Sequence, residues 1–389
     1  MLRAASRRHL ARFDRQAPEH CQSRILLGLL NQAQNTRFGR EHDFRRIRTV
    51  ADYRRLVPLW TRADLWREYW QPVYPHLAGA TWPGPSANGQ VNDDSYRPRP
   101  SAALQSAHRR ALRTALALIA HAQPRTALLS GALLLPGEEG PSSVWEQDTL
   151  RERLPSLARP FARLGEEALA ERCAHLRVTC LIGTVERLLP LLENVRQFRG
   201  KRCLRDVWPN LSAILYTRRS PTAPVAQLRA EAEGVLLLET AGRAEGPIAV
   251  EDPRHGLMRL LFDHGVFFEF ISPAADCEAV GPRRGIDEIE IGVPYELVMT
   301  SPAGLWACRI GRTVCLERRD PLLLRFLEPA KEAPVADAPG LPTRRRPRRT
   351  DLILPTLPEV GFHPQSDGNP AAPPGSSFHT PWSILADRG

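Results

Sequence analysis

Pro294-Tyr295-Glu296-Leu297-Val298-Met299-Thr300-Ser301, with Gly304 to Leu316 close behind, reads as two strands folded into a hairpin. Just upstream, Met258 to Ile271 has strand composition and ends in Phe267-Phe268-Glu269-Phe270. Working back toward the N-terminus, the pattern alternates. Leu211–Tyr216 and Gly234–Leu238 are short apolar runs of buried-strand type, and Val178–Ile182 is another. Between and before them lie helical periods: a stretch through Leu164, Leu169 and Cys173, and Thr184–Gln197 with Pro190 inside it. Ala102–Ala122 is a strong amphipathic helix, with an apolar stripe through Leu104, Ala111, Leu112, Ala115, Leu118 and Ile119, and Ala127–Leu135 reads as a strand. Alternating helices and strands followed by consecutive strands argue an α/β fold, mixed sheets flanked by helices with an antiparallel portion.

The N-terminal end is helical from about residue 4 to 35, with Ile25, Leu26, Leu29 and Leu30 on one face. Thr49 and Asp52 have capping-box spacing for a further short helix. Trp82–Pro100 is rich in Pro, Gly, Asn and Asp and reads as loop. After residue 328 prolines accumulate around Thr343-Arg344-Arg345-Arg346-Pro347-Arg348-Arg349. The expected division is therefore a folded domain over 1–328 and a disordered tail over 329–389, which has too little apolar surface to offset its ordering entropy.

Composition narrows the function. The 389 residues carry a net charge of +10, and fifteen arginines face seven acids in residues 1–70. That basic end could touch an anionic surface. No zinc finger, basic-zipper region or RNA-binding aromatic box accompanies it, so nucleic acid is not the expected partner. Seven cysteines without a C-x-x-C pair argue reduced thiols rather than a zinc or redox site. No apolar run spans a bilayer, and a cytoplasmic location is expected. Glu251 and Asp252 would point to opposite faces of a strand, poor geometry for paired acid and base. Asp263-His264 could pair as acid and base, with a structural role expected instead.

Three separated blocks carry a resemblance. The first is Asn35-Thr36-Arg37-Phe38-Gly39-Arg40-Glu41-His42-Asp43-Phe44, continued by Val50-Ala51-Asp52-Tyr53-Arg54-Arg55-Leu56-Val57-Pro58-Leu59. The second is Ile248-Ala249-Val250 with Asp263-His264-Gly265-Val266-Phe267-Phe268-Glu269-Phe270. The third is Tyr295–Thr300 with Gly304-Leu305-Trp306 and Arg309-Ile310-Gly311. In order and spacing they resemble the N-terminal large domain of the auxin-responsive acyl-acid amido synthetases, adenylate-forming enzymes. The resemblance implies that fold, and an activity joining a carboxylic acid to an amine through an acyl-adenylate made with Mg-ATP.

It also implies three grips on ATP, and the chain departs from each. A Ser/Thr/Gly-rich loop ending in lysine would cradle the phosphates; here Pro85–Asp94 has two acids and no lysine, and the whole chain has only Lys201 and Lys331. Carboxylates there would repel triphosphate by roughly 4 kcal/mol per charge pair at 4 Å and an effective dielectric of 20. A Tyr-x-Ala-Ser-Glu turn becomes Ala241-Gly242-Arg243-Ala244-Glu245, then Gly246, keeping only the glutamate that would hold magnesium. A Tyr-Arg-x-Gly-Asp segment becomes Cys308-Arg309-Ile310-Gly311-Arg312, replacing a ribose acceptor with a donor. The resemblance also implies a C-terminal lid domain, which the Pro-rich 329–389 stretch is not expected to supply. Glu245, Gly246, Arg309, Gly311 and Arg312 are thus the family-equivalent nucleotide positions, with Glu245 as the metal candidate. The expectation is a non-catalytic member that takes an acyl-acid ligand or a protein partner and needs no cofactor. The alternatives are an active Mg-ATP-dependent acid–amine ligase and an anion-binding module.

Overall fold

The computed structural model describes residues 2–74, 76–84, 101–125, 128–135, 158–160, 166–218, 220, 222–243, 245–273 and 281–327. The expected phosphate loop, most of the Trp82–Pro100 stretch, Cys277, Lys331 and the 329–389 tail lie outside them.

Eleven strands form one continuous sheet among the described residues. They are β1 (Ala132–Leu135), β2 (Ala158–Pro160), β3 (Val178–Thr184), β4 (Ala213–Thr217), β5 (Leu236–Arg243) and β6 (Gly246–Asp252). The rest are β7 (Leu257–Leu260), β8 (Phe267–Ile271), β9 (Pro294–Ser301), β10 (Leu305–Arg318) and β11 (Leu323–Leu327). Their order is β2-β1-β3-β4-β5-β6-β7-β11-β10-β9-β8. Pairing is parallel from β2 through β5 and antiparallel from β5 onward. The mixed sheet thus has both portions that the sequence pattern requires. β9 and β10 form the expected hairpin.

Period-2 alternation explains why the parallel strands are apolar throughout. In β3, Leu181 joins one apolar cluster while its neighbours Cys180 and Ile182 join the other; in β4, Ile214 and Tyr216 oppose Ala213 and Leu215 in the same way. The smaller cluster lies under α7 (Glu166–Ala174) and α8 (Val185–Arg199), with Trp208 at its centre. Burial pushes the Cys173 and Cys180 thiols up to about 12, as inert core sulfurs.

The larger cluster lies beneath the N-terminal helices and α6 (Ala102–Ala122). Residues 4–35 are two helices rather than one, α1 (Leu2–Asp14) and α2 (Pro18–Ala33), because Pro18 cannot continue the first and opens the second. The 258–271 run is likewise two strands. Its middle turns at Gly265, where φ is 83°, so β7 and β8 end up at separate places in the sheet. The 127–135 run keeps only its second half as strand, after a short 3-10 turn at Leu128–Ser130. Thr49 and Asp52 form the capping box at the start of α4 (Val50–Leu56). No helix among the described residues is long and apolar enough to cross a membrane.

The turn between β7 and β8 is fixed by groups far away in sequence. The buried Gln22 amide donates to the Phe262 carbonyl at 2.5 Å and the Val266 carbonyl at 2.9 Å, and accepts from the Phe268 N–H at 2.6 Å. His264 Nδ1 lies 2.7 Å from Asp263 Oδ1, and its Nε2 meets Thr114 Oγ1 of α6 at 2.9 Å. Thr114 Oγ1 also meets His9 Nε2 of α1 at 2.9 Å. The Asp263-His264 pair is therefore a clamp joining α1, α6 and the turn. Burial opposes the Asp263 charge, but the His264 contact and Arg110, 3.3 Å away, win and hold its carboxyl well below the usual range. Burial lowers His264, and it pushes His9 down to about 4.

The His9 shift has a definite sign. A histidine whose folded pKa lies below its unfolded value of about 6.5 binds protons preferentially when unfolded, so stability falls as pH drops from about 6.5 to about 4. A loss of order 2 kcal/mol is expected across that window. Thermal unfolding of His9→Asn should be flatter between these pH values than that of the parent; an equal slope would show that His9 does not report on this clamp.

Candidate functional site

The carboxyl ends of β3, β4 and β5 converge where the sheet changes from parallel to antiparallel, the usual place for a ligand crevice in an α/β sheet. A cavity open to solvent lies there. One wall is α6, which turns His108, Ala111, Leu112 and Ala115 toward it, an i, i+3, i+4, i+7 stripe. The opposite walls are Ile182 of β3, Leu215 and Thr217 of β4, and Thr240, Ala241 and Gly242 of β5. Pro247, Ala249 and Val250 of β6, with Leu261 from the clamped turn, complete it. The β5–β6 register slips between Ala241 and Gly242, opposite Pro247, which has no N–H to give the ladder.

Among the described residues, no Lys, Arg, Asp or Glu lines this cavity. Its polar groups are the buried His108 and the hydroxyls of Thr217 and Thr240, whose oxygens are 2.7 Å apart. Such a site, apolar with few polar groups, suits a small organic molecule.

Of the family-equivalent nucleotide positions, Glu245 and Gly246 immediately precede Pro247 of the cavity wall, and the others lie on β10. The Trp60 N–H donates to the Ala307 carbonyl at 3.0 Å, and the Arg309 N–H to the Trp60 carbonyl at 2.8 Å. That pairing lays the chain before α5 (Arg62–Leu65) along β10. A second capping box, Thr61 with Asp64, then starts α5 and sets Arg62 in its first position. From there Arg62 Nη1 reaches Glu245 Oε1 at 2.6 Å. Glu245 is only 6% exposed, so the carboxylate expected to meet a metal is covered and paired with an arginine of its own chain. Cys308 is close by, and burial with the Glu245 charge pushes its thiol up to about 12.

The other candidates are placed as follows. Gly246 has φ 155°, and a Cβ there would stand 2.9 Å from Val266 Cγ2, so the position is packed without room for a side chain. Arg309 is held by Glu296, Nε at 3.0 Å from one carboxylate oxygen and Nη2 at 2.6 Å from the other. That fork is a cross-strand tie between β10 and β9. Gly311 turns the strand at φ 63°, and Arg312 follows it with contacts of its own. Glu251 accepts the Glu239 N–H at 2.9 Å, while Asp252 is buried against Arg254 and Arg259, so the two adjacent acids serve separate structural ties.

These residues do not fit Mg-ATP. Glu245 is engaged by a guanidinium, the aromatic position at 241 carries alanine, and the ribose-acceptor position carries Arg312. Among the described residues the single lysine is Lys201, on the exposed end after α8. Among them, too, no group of three or more His, Cys, Asp or Glu side chains could hold a metal ion. Sequence reasoning named Glu245 but missed Arg62, His108, Thr217 and Thr240. Only the second capping box hinted that position 62 was fixed.

The fold is that of the adenylate-forming enzymes. The chain resembles the acyl acid amido synthetase AtGH3.15, solved in complex with 2,4-DB, with a TM-score of 0.57 and 12% identity over 79% of this chain and 67% of that one. It also resembles 2-hydroxyisobutyryl-CoA ligase, solved in an open conformation with 2-HIB-AMP and CoA, with a TM-score of 0.57 and 15% identity over 78% and 66%. The chain thus spans about two thirds of the length of these structures. Residues 8–68 match the GH3 family N-terminal domain, and residues 259–326 match the GH3 family central domain. A comparison with curated protein sequences finds no match.

Breaking the covered ion pair should be costly. Arg62→Ala leaves Glu245 largely buried beside one fewer cation, and a loss of about 1–3 kcal/mol is expected in urea unfolding after discounting for the partial exposure of Arg62. Arg62→Ala combined with Glu245→Gln should recover part of that loss. Additive effects in this double-mutant cycle would mean the two side chains do not interact.

Proposed function

We propose that this chain, whose parts match two GH3 family domains, binds a small, largely apolar organic ligand in the cavity under α6 and does not form acyl-adenylates. One observation carries the reading: Arg62 occupies the buried Glu245 carboxylate at 2.6 Å, where the family would bring magnesium. A guanidinium offers only donors and a fixed positive charge, so it can neutralise the carboxylate but cannot coordinate phosphate oxygens and water as a metal does. The neighbouring replacements, Ala241 and Arg312, act in the same direction.

The cavity excludes the Arg62–Glu245 pair, although Ala241 is part of its wall. Its walls come from α6 and the ends of β3 to β6. The position of the cavity in the sheet, and a relative solved with 2,4-DB, support a small organic molecule with an apolar body as its occupant. Turnover by a divergent Mg-ATP-dependent acid–amine ligase is the competing reading, supported by the chain's likeness to such enzymes.

Calorimetry separates the two. Mg-ATP at millimolar concentration should give no saturable heat with the parent protein. ATP-dependent pyrophosphate exchange in the presence of any carboxylic acid would sink the non-catalytic reading. Aromatic fragments should raise the thermal midpoint, a ligand at a hundred times its Kd adding about 2.7 kcal/mol. Ala115→Phe, which fills the cavity from α6, should abolish that rise.

A further inference from the structure

The two threonines in the cavity wall have a fixed hydrogen-bond direction. Thr240 Oγ1 lies 3.2 Å from the Tyr216 carbonyl, which can only accept, so the Thr240 hydroxyl donates to it. Thr217 Oγ1 lies 2.7 Å from Thr240 Oγ1. With the Thr240 hydrogen committed to the backbone, the hydrogen in that contact is Thr217's. The chain therefore runs Thr217 to Thr240 to the Tyr216 carbonyl. Its outer member, Thr217, keeps acceptor lone pairs but has no hydrogen left to give.

Among the described residues, the cavity wall also holds no charged side chain. A carboxylate seated on the threonines would set lone pairs against lone pairs, and would lose water without gaining a counter-charge. A hydroxyl or N–H reverses both terms: it brings the missing hydrogen and buries no net charge. His108 on the α6 side can donate or accept according to its tautomer, so the polarity of the site is set by the threonine pair.

We propose that the cavity selects an uncharged, apolar ligand with a hydrogen-bond donor, a phenol-like or alcohol-like hydroxyl or an N–H, seated on Thr217. This deepens the ligand-binding reading above and rests on it. An acidic ligand fits only with its carboxylate kept out of the threonine end.

Matched probes of one ring test this by calorimetry or thermal shift at neutral pH, where phenol is neutral and benzoate is charged. Phenol should bind about tenfold more tightly than anisole, which has the same ring and an oxygen but no donor. Benzoate should bind more weakly than either. Thr217→Val keeps the branched strand side chain and removes the acceptor, so phenol should fall to the level of anisole, while Thr217→Ser should retain the preference. Thr240→Val removes the acceptor that takes Thr217's hydrogen; Thr217 can then donate, and anisole should gain on phenol. Equal affinity for phenol and anisole in the parent, or benzoate as the tightest of the three, overturns the donor preference while leaving the cavity a ligand site. If none of the three binds and Ala115→Phe changes nothing, the ligand-binding reading falls with it. Apo unfolding curves of each variant identify any that has merely failed to fold.

Discussion

β5 belongs to two kinds of sheet at once, and the site depends on that. Its first half pairs in parallel with β4, from Leu236 to Glu239, and its second half pairs antiparallel with β6, from Thr240 to Arg243. Where the pairing changes, β4 ends at Thr217, and the register of β5 against β6 slips past Ala241. The sheet opens there, and α6 closes the opening on one side with a stripe of small and apolar residues. Neither half of the sheet could make this cavity by itself.

The same junction brings the cavity wall up to the Glu245 turn. Ala241 and Gly242 face the cavity, while Glu245, a few residues on, meets Arg62. Arg62 is delivered by the edge pairing of Trp60 with β10 and by the Thr61–Asp64 cap. The Arg62 guanidinium leaves the buried Glu245 carboxylate neutralised without any bound ligand. Packing at this turn is tight, since Gly246 lies against Val266 with no space for a side chain. The cavity itself stays open because its walls are held elsewhere, by Gln22 on the 262–268 turn and by the His9–Thr114–His264 contacts across α6.

Much of the architecture was legible in the chain itself. The Ala102–Ala122 helix has the predicted bounds, and the β9–β10 hairpin, the capping box at Thr49 and the apolar parallel strands all have local causes: periodicity, capping residues and turn-forming glycine. Where the reading ran two elements together, a single residue explains the break. Pro18 ends the N-terminal helix, and Gly265 lets the chain leave β7 for a distant edge of the sheet. Composition could not detect that second break, because Met258–Ile271 is strand-like on both sides of the turn.

Local sequence therefore determined the kinds of element, the two halves of the sheet and which residues stand at the family-equivalent nucleotide positions, because each is written within a few neighbouring positions. Tertiary structure alone decided what stands in their place. Arg62 and Glu245 are 183 positions apart in the numbering, and Thr217 meets Thr240 only because β4 and β5 pair in register. An ion pair or a directed hydrogen-bond chain depends on ångström-scale distances and on which groups are already engaged, and neither follows from residue order.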